Sequence, residues 1–136
     1  MAANLIADSS FLLALLNKRE TDHDWAAAQA VLLPPPWKTC EAALSEAFHL
    51  LGLSGIPALA GLLGERAIVT EFDAQLHIDD VLRLMKKYVD VPMSFTDACL
   101  VRMSEVLSNP TVLTTDSDFR VYRRHGRQVI PVAAPR

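Results

Sequence analysis

The 136-residue chain reads as an α/β fold on a mainly parallel, about five-stranded sheet, and three observations predict it. Short apolar runs such as Leu5-Ile6-Ala7 and Thr111-Val112-Leu113 have the length and the bounding turn residues of buried strands. Segments of helical periodicity separate them, and strands alternating with helices make βαβ units. Hydrophobic residues form 51% of the chain, which excludes disorder and supports a substantial core.

Each element follows in order. Leu5-Ile6-Ala7 is the first strand and Asp8 stands at its end, with Ser9 or Ser10 placed to cap a helix over Phe11-Leu12-Leu13-Ala14-Leu15-Leu16. A polar turn leads to an alanine-rich helix from His23 to Leu33, ended by Pro34-Pro35-Pro36. Trp37-Lys38-Thr39-Cys40 is a second short strand. From Glu41 to Leu53 the helix is apolar almost all round and is expected to be mostly buried, with Ser45, Glu46 and His49 as its polar stripe. Gly52 and Gly55 close it. Ile56 to Leu63 is the next helix, with Leu59, Leu62 and Leu63 on one face. Ala67-Ile68-Val69-Thr70 is a third strand, and Asp73 to Tyr88 a long amphipathic helix. Ser94 opens a helix through Val106, followed by a fourth strand at Thr111-Val112-Leu113-Thr114. Ser117 to His125 reads as a basic helix, and Val129-Ile130 as a fifth strand limited by Pro131.

Residues 1–136 are expected to form one domain, since no Gly/Ser/Pro-rich linker divides them. No apolar run reaches the roughly 18 residues of a membrane span, and no basic leader opens the chain, so a cytoplasmic location without a membrane is expected. Cys40 and Cys99 lie in apolar elements and read as reduced core thiols. The net charge of −3 argues against a generic nucleic-acid coat protein. It leaves an RNA enzyme open, because clustered acids can belong to a metal site.

Four acids recur at one kind of position. Asp8 ends the first strand, Glu46 lies inside the helix after the second, Asp97 is in the first turn of the Ser94 helix, and Asp116 ends the fourth strand. Ligands bind outside the carboxyl ends of the strands in open α/β sheets. Hard divalent cations take oxygen ligands, and two such ions can activate a water and stabilise a leaving phosphodiester oxygen. Each acid also has a plainer explanation. Asp8 and Asp116 stand where aspartate caps helices, Asp97 sits three residues after Ser94 as in a capping box, and Glu46 could be a solvated surface residue. Glu41 and Glu46 are five residues apart, a turn of about 140°, so both cannot enter one cleft. Glu41 suits the positive end of the helix dipole and reads as structural.

The run Leu5-Ile6-Ala7-Asp8-Ser9-Ser10-Phe11-Leu12-Leu13-Ala14-Leu15 resembles the opening of PIN-domain nucleases. Leu44-Ser45-Glu46-Ala47, Ser94-Phe95-Thr96-Asp97-Ala98 and Leu113-Thr114-Thr115-Asp116-Ser117-Asp118-Phe119 resemble the family's later acidic motifs, in the family's order, over nearly the whole chain. Its length is that of the single-domain VapC-type toxins. The resemblance implies a three-layer α/β/α PIN-like fold and Mg²⁺- or Mn²⁺-dependent endonucleolytic hydrolysis of RNA. It implies Asp8, Glu46, Asp97 and Asp116 as catalytic metal ligands, with Asp118 a further acid able to replace or assist Asp116. Ser9 and Thr115 would support the carboxylates. A homodimer and a cognate antitoxin are the implied partners, with Leu59, Leu62, Leu63 and the first helix as candidate contacts or core. Arg120, Arg123, Arg124 and Arg127 are expected to form an electropositive rim for RNA, the first three on one helix face, or else to be solvated cations near a helix C-terminus. The rival readings are a PIN nuclease of RNA processing without an antitoxin and a PIN-like module without catalysis. An Asp-x-Asp phosphatase is disfavoured, because Asp8-Ser9-Ser10 lacks the second acid.

Overall fold

The computed structural model describes residues 2–136. Its elements run β1 (Asn4–Ala7), α1 (Ser9–Leu16), α2 (His23–Leu32), β2 (Trp37–Lys38), α3 (Glu41–Leu51), α4 (Ile56–Gly64), β3 (Ile68–Val69), α5 (Ile78–Lys87), α6 (Phe95–Val106), β4 (Pro110–Leu113), β5 (Arg123–Arg124), β6 (Gln128–Val129) and β7 (Val132–Ala133). The central sheet has the order β3-β2-β1-β4-β7, every neighbouring pair parallel.

Alternation along β1 divides the core in two. Ile6 and Val112 point to one face, where they pack with Val101, Met103, Phe119 and Tyr122 under α5 and α6. Leu5, Ala7 and Leu113 point to the other and meet Phe11, Leu12, Trp37 and Leu59 under α1, α2 and α4. Period-2 side chains buried on both faces are what a parallel sheet between helical layers requires. The result is a three-layer α/β/α sandwich.

The chain winds outward from β1 through β2 to β3, then crosses back to place β4 on the other flank of β1. This reversal makes the gap between β1 and β4 the topological switch point, the place where an open sheet leaves a crevice beyond its carboxyl edge. Register carries the two chains into that crevice together. Ala7 pairs with Leu113, so Asp8 and Thr114 emerge side by side.

Several boundaries differ from the sequence reading. The apolar helix α3 buries only Ala43 and Ala47 fully and leaves Leu50 56% exposed, so it is a surface helix, not a mostly buried one. Leu59 is in the core and Leu62 and Leu63 pack against it. The expected helix from Asp73 begins as a 3-10 turn, Ala74–His77, before α5, because the Asp73 carboxylate takes the Gln75 N–H at 3.0 Å and tightens the first turn. The basic helix after Asp116 is absent. A 3-10 turn covers Ser117–Arg120, and left-handed backbone at His125 (φ 52°) and Gly126 (φ 81°) folds the rest into the antiparallel β5–β6 hairpin. Val129 therefore belongs to that hairpin and Ile130 to the core, and the fifth strand of the sheet is β7, beyond Pro131. Proline at the head of an edge strand needs no donor, and its carbonyl accepts the Val112 N–H at 2.9 Å.

Phe11 anchors the α1 layer. It is fully buried and meets Trp37 edge to face at 5.2 Å and Trp25 at 6.2 Å. Phe11→Ala should cost about 3–5 kcal/mol, read as a lowered urea midpoint with an unchanged slope. A loss below about 1 kcal/mol would show that the layer collapses into the space.

Candidate active site

Asp8 is 4% exposed and is the N-cap residue of α1 by backbone position only. Its carbonyl accepts the N–H groups of Phe11 and Leu12, while its side chain makes no cap bond. The capping explanation therefore fails here. The carboxylate turns into the crevice instead, where Oδ2 accepts from Thr114 Oγ1 at 2.8 Å and Ser10 Oγ at 2.9 Å. The directions follow from a count of protons. Thr114 Oγ1 already accepts the Asp116 N–H, and Ser10 Oγ the Thr115 N–H, so each hydroxyl has its one proton to offer Asp8.

This arrangement suits an ionised Asp8, yet burial opposes it. Desolvation, aided by the charges of Asp97 and Asp116, outweighs the two hydroxyl bonds and pushes the Asp8 carboxyl up to about 6. Burial likewise raises Asp97, with Asp116 adding to the effect. Three of the four expected acids thus share one electrostatic neighbourhood. Glu46 joins through Ser9, whose Oγ lies 3.3 Å from Glu46 Oε1 and 3.4 Å from Asp8 Oδ1.

The plainer explanations hold for Asp97 and Asp116, and they fix the side chains without excluding a second use. Ser94 and Asp97 form a true capping box, with the Ser94 N–H on Asp97 Oδ2 at 3.2 Å. Asp116 Oδ1 caps the next turn by accepting the Asp118 N–H at 2.9 Å. Asp118 bears on Tyr122: its charge is among those that raise the phenol, after burial itself. Thr115 meets the cluster through its backbone N–H, which donates to Ser10 Oγ.

The sequence reading missed three residues. Thr114 and Ser10 hold Asp8, and Tyr122, fully buried, places its hydroxyl 3.3 Å from Asp97 Oδ2 and 3.2 Å from the Pro92 carbonyl. Thr114 continues β4 on the rung beside Asp8, a register that only the folded sheet shows. Tyr122 lies among arginines with no periodicity to mark it.

The arginines do not share a helix face. Arg123 donates to the carbonyls of Arg120, Val121 and Tyr122, and Arg124 Nε to the Ser104 carbonyl near the end of α6 at 2.9 Å. Both are backbone braces. Arg120 and Arg127 are exposed.

Among the described residues no three His, Cys, Asp or Glu side chains close into a ready metal cage. The donor chemistry nevertheless fits a hard divalent cation. Among the described residues the ion pairs are Lys38–Glu71, Arg83–Asp80, Arg102–Asp80, Arg102–Glu105 and Arg136–Asp22, and none involves Asp8, Glu46, Asp97 or Asp116. Their charge is met by hydroxyls and backbone N–H groups, an all-oxygen set short of positive charge.

Asp8 makes a stability prediction. Its folded value of about 6 exceeds the unfolded 3.8, so its contribution is full below the unfolded value and is lost as pH rises towards the folded one. The loss is about 3 kcal/mol at 1.36 kcal/mol per unit. In a chelator, Asp8→Asn should therefore gain on the wild type between about pH 4 and about pH 7.5, measured by urea unfolding at both. A variant equally destabilised at the two pH values would contradict the assignment.

No protein-family model and no curated protein sequence matches the chain. A solved structure does: VapC20 of Mycobacterium tuberculosis, a toxin that cleaves the sarcin-ricin loop, aligns at 23% identity and a TM-score of 0.77, over 86% of this chain and 93% of that one. The likeness bears on architecture. The chain has the three-layer α/β/α PIN-domain fold of the VapC toxins.

Proposed function

We propose that this PIN-fold chain is a Mg²⁺- or Mn²⁺-dependent endoribonuclease, the toxin of a type II toxin–antitoxin pair. The observation that carries the reading is the uncompensated carboxylate group at the switch point, centred on buried Asp8. Asp8, Glu46, Asp97 and Asp116 would hold the metal, with Asp118 an auxiliary acid. When bound, the ion supplies an activated water and stabilises the leaving oxygen of an RNA phosphodiester.

The chain's own residues prepare that site. Thr114 and Ser10 hold Asp8 Oδ2 by two hydroxyl bonds and favour the anion. Ser9 holds Glu46 towards Asp8. The Ser94 N–H and the Tyr122 hydroxyl both donate to Asp97 Oδ2 and fix it. Fixed ligand orientations spare reorganisation when charge develops. Exposed Arg120 and Arg127 offset the repulsion between RNA phosphates and the acidic centre.

A toxin also needs an antitoxin, and VapC-type resemblance adds a homodimer. Leu53 at 87% exposure, with Leu50 and Ile56 beside it at the α3–α4 bend, offers an apolar surface for such partners. This favours the toxin over a solitary processing nuclease. A non-catalytic module would have no use for desolvated acids without counter-charges. No single helix among the described residues is long and apolar enough to cross a membrane, in keeping with action in the cytoplasm.

Asp8→Ala, Glu46→Ala, Asp97→Ala and Asp116→Ala should each lower cleavage of a structured RNA by at least about a hundredfold, on one gel with Mg²⁺, Mn²⁺ or a chelator. His49→Ala, exposed on the same helix as Glu46, should cut normally. Asp118→Ala should lose activity only in part. Equal cleavage in the chelator, or full activity of both Asp8→Ala and Asp97→Ala, would sink the mechanism.

A further inference from the structure

A cavity of about 520 Å³ opens beside the carboxylate centre and has no part in the chemistry above. Its walls include Cys40, Glu41, Glu71, Asp73, Phe95 and Cys99. Sheet register fixes where it lies. Ile6 pairs with Lys38 and Lys38 with Val69, so two residues further on Asp8, Cys40 and Glu71 reach the same level of the carboxyl edge. Adjacent strands are about 4.8 Å apart, which places the cavity's Cys40 wall one strand spacing from Asp8. Phe95 ties the two together from the other side, since it shares the first turn of α6 with Asp97.

The lining has the chemistry of a base pocket. Phe95 is 38% exposed, a large ring at the first position of a helix, open to a flat partner. Of the rim carboxylates, Glu71 is paired with Lys38 at 3.6 Å and Asp73 caps the Gln75 N–H. Among the described residues the Glu41 carboxylate has no hydrogen-bond or ion-pair partner of its own. Unstacked bases in single-stranded RNA are held by aromatic stacking and by hydrogen bonds to their Watson–Crick edge. A carboxylate accepts two parallel donors. Guanine presents N1–H and N2–H side by side, whereas adenine and cytosine set an acceptor beside their amino group and uracil flanks its single N–H with two carbonyls.

We propose that this cavity receives an unstacked guanine next to the phosphodiester cut at the carboxylate centre, with Phe95 stacking on the base and Glu41 accepting from its N1–H and N2–H. The proposal rests on the ribonuclease reading and adds a substrate class to it: single-stranded or loop RNA with guanine beside the cleaved bond. It also gives Glu41 a use that the helix dipole does not.

The test reads binding apart from cleavage. Fluorescence anisotropy is measured in a chelator for four labelled tetranucleotides, UUGU, UUAU, UUCU and UUUU, so that metal-free repulsion is common to all. The wild type should bind UUGU about tenfold more tightly than the others. Glu41→Gln, on an exposed side chain that the fold does not need, should remove that preference, and Phe95→Leu should weaken all four. Equal binding of the four by the wild type, or a guanine preference that survives Glu41→Gln, would overturn the pocket. A guanine preference in a protein that cuts no RNA with Mg²⁺ or Mn²⁺ would support the pocket and remove the nuclease.

Discussion

Everything at this site depends on the buried charge of Asp8. The residue ends the central strand of a parallel sheet, where both flanks are occupied by other strands and both faces by helices, so its carboxylate has almost no water. Two hydroxyls aim protons at one of its oxygens, and two further acids push against it. Hydrogen bonding asks for the anion while desolvation and like charge ask for the acid. A protein cation would settle the conflict, but Arg123 and Arg124 are committed to backbone carbonyls and Arg136 to Asp22. The fold thus leaves a demand for positive charge that an added ion would meet.

The surrounding structure exists to bring the other acids to that point. Strand order reverses between β1 and β4, so the two strands deliver Asp8 and Asp116 to one crevice. The capping box of α6 holds Asp97 in place, and a short cap after β4 does the same for Asp116. Capping and ligand duty are not rivals here. A cap costs a carboxylate one lone-pair direction and gives it a fixed orientation, which is what a preorganised site requires. Asp8 makes no side-chain cap bond, and it is the most buried of the set.

The sequence carried the parts set by local pattern. β1 and β4 were legible because an apolar run ending in a polar residue marks a buried strand, and Ser94 with Asp97 announced the start of α6. The four acids were legible by their places at strand and helix ends. What failed depended on distant partners. Four arginines after Asp116 look helical until His125 and Gly126 take left-handed φ values and reverse the chain. Val129-Ile130 looks like a strand of the main sheet, but the pairing surface beside β4 is taken by Val132–Ala133. The apolar face of α3 suggests burial, yet no neighbour covers Leu50 or Leu53 fully. Thr114 and Tyr122 were missed because their roles arise from register and packing across the fold, which no window of sequence contains.

The central claim is that the carboxylates at the switch point form one divalent-cation centre. Titration of the protein with Mn²⁺, followed by the electron paramagnetic resonance of the free ion, tests it most directly and needs no substrate. The wild type should remove the free-ion signal, Mg²⁺ should restore it by competition, and Thr114→Val, which withdraws one hydroxyl from Asp8 while keeping its shape, should weaken binding about 10- to 100-fold. A free-ion signal that the wild type leaves unchanged, at protein concentrations where the fold is intact, would contradict the account.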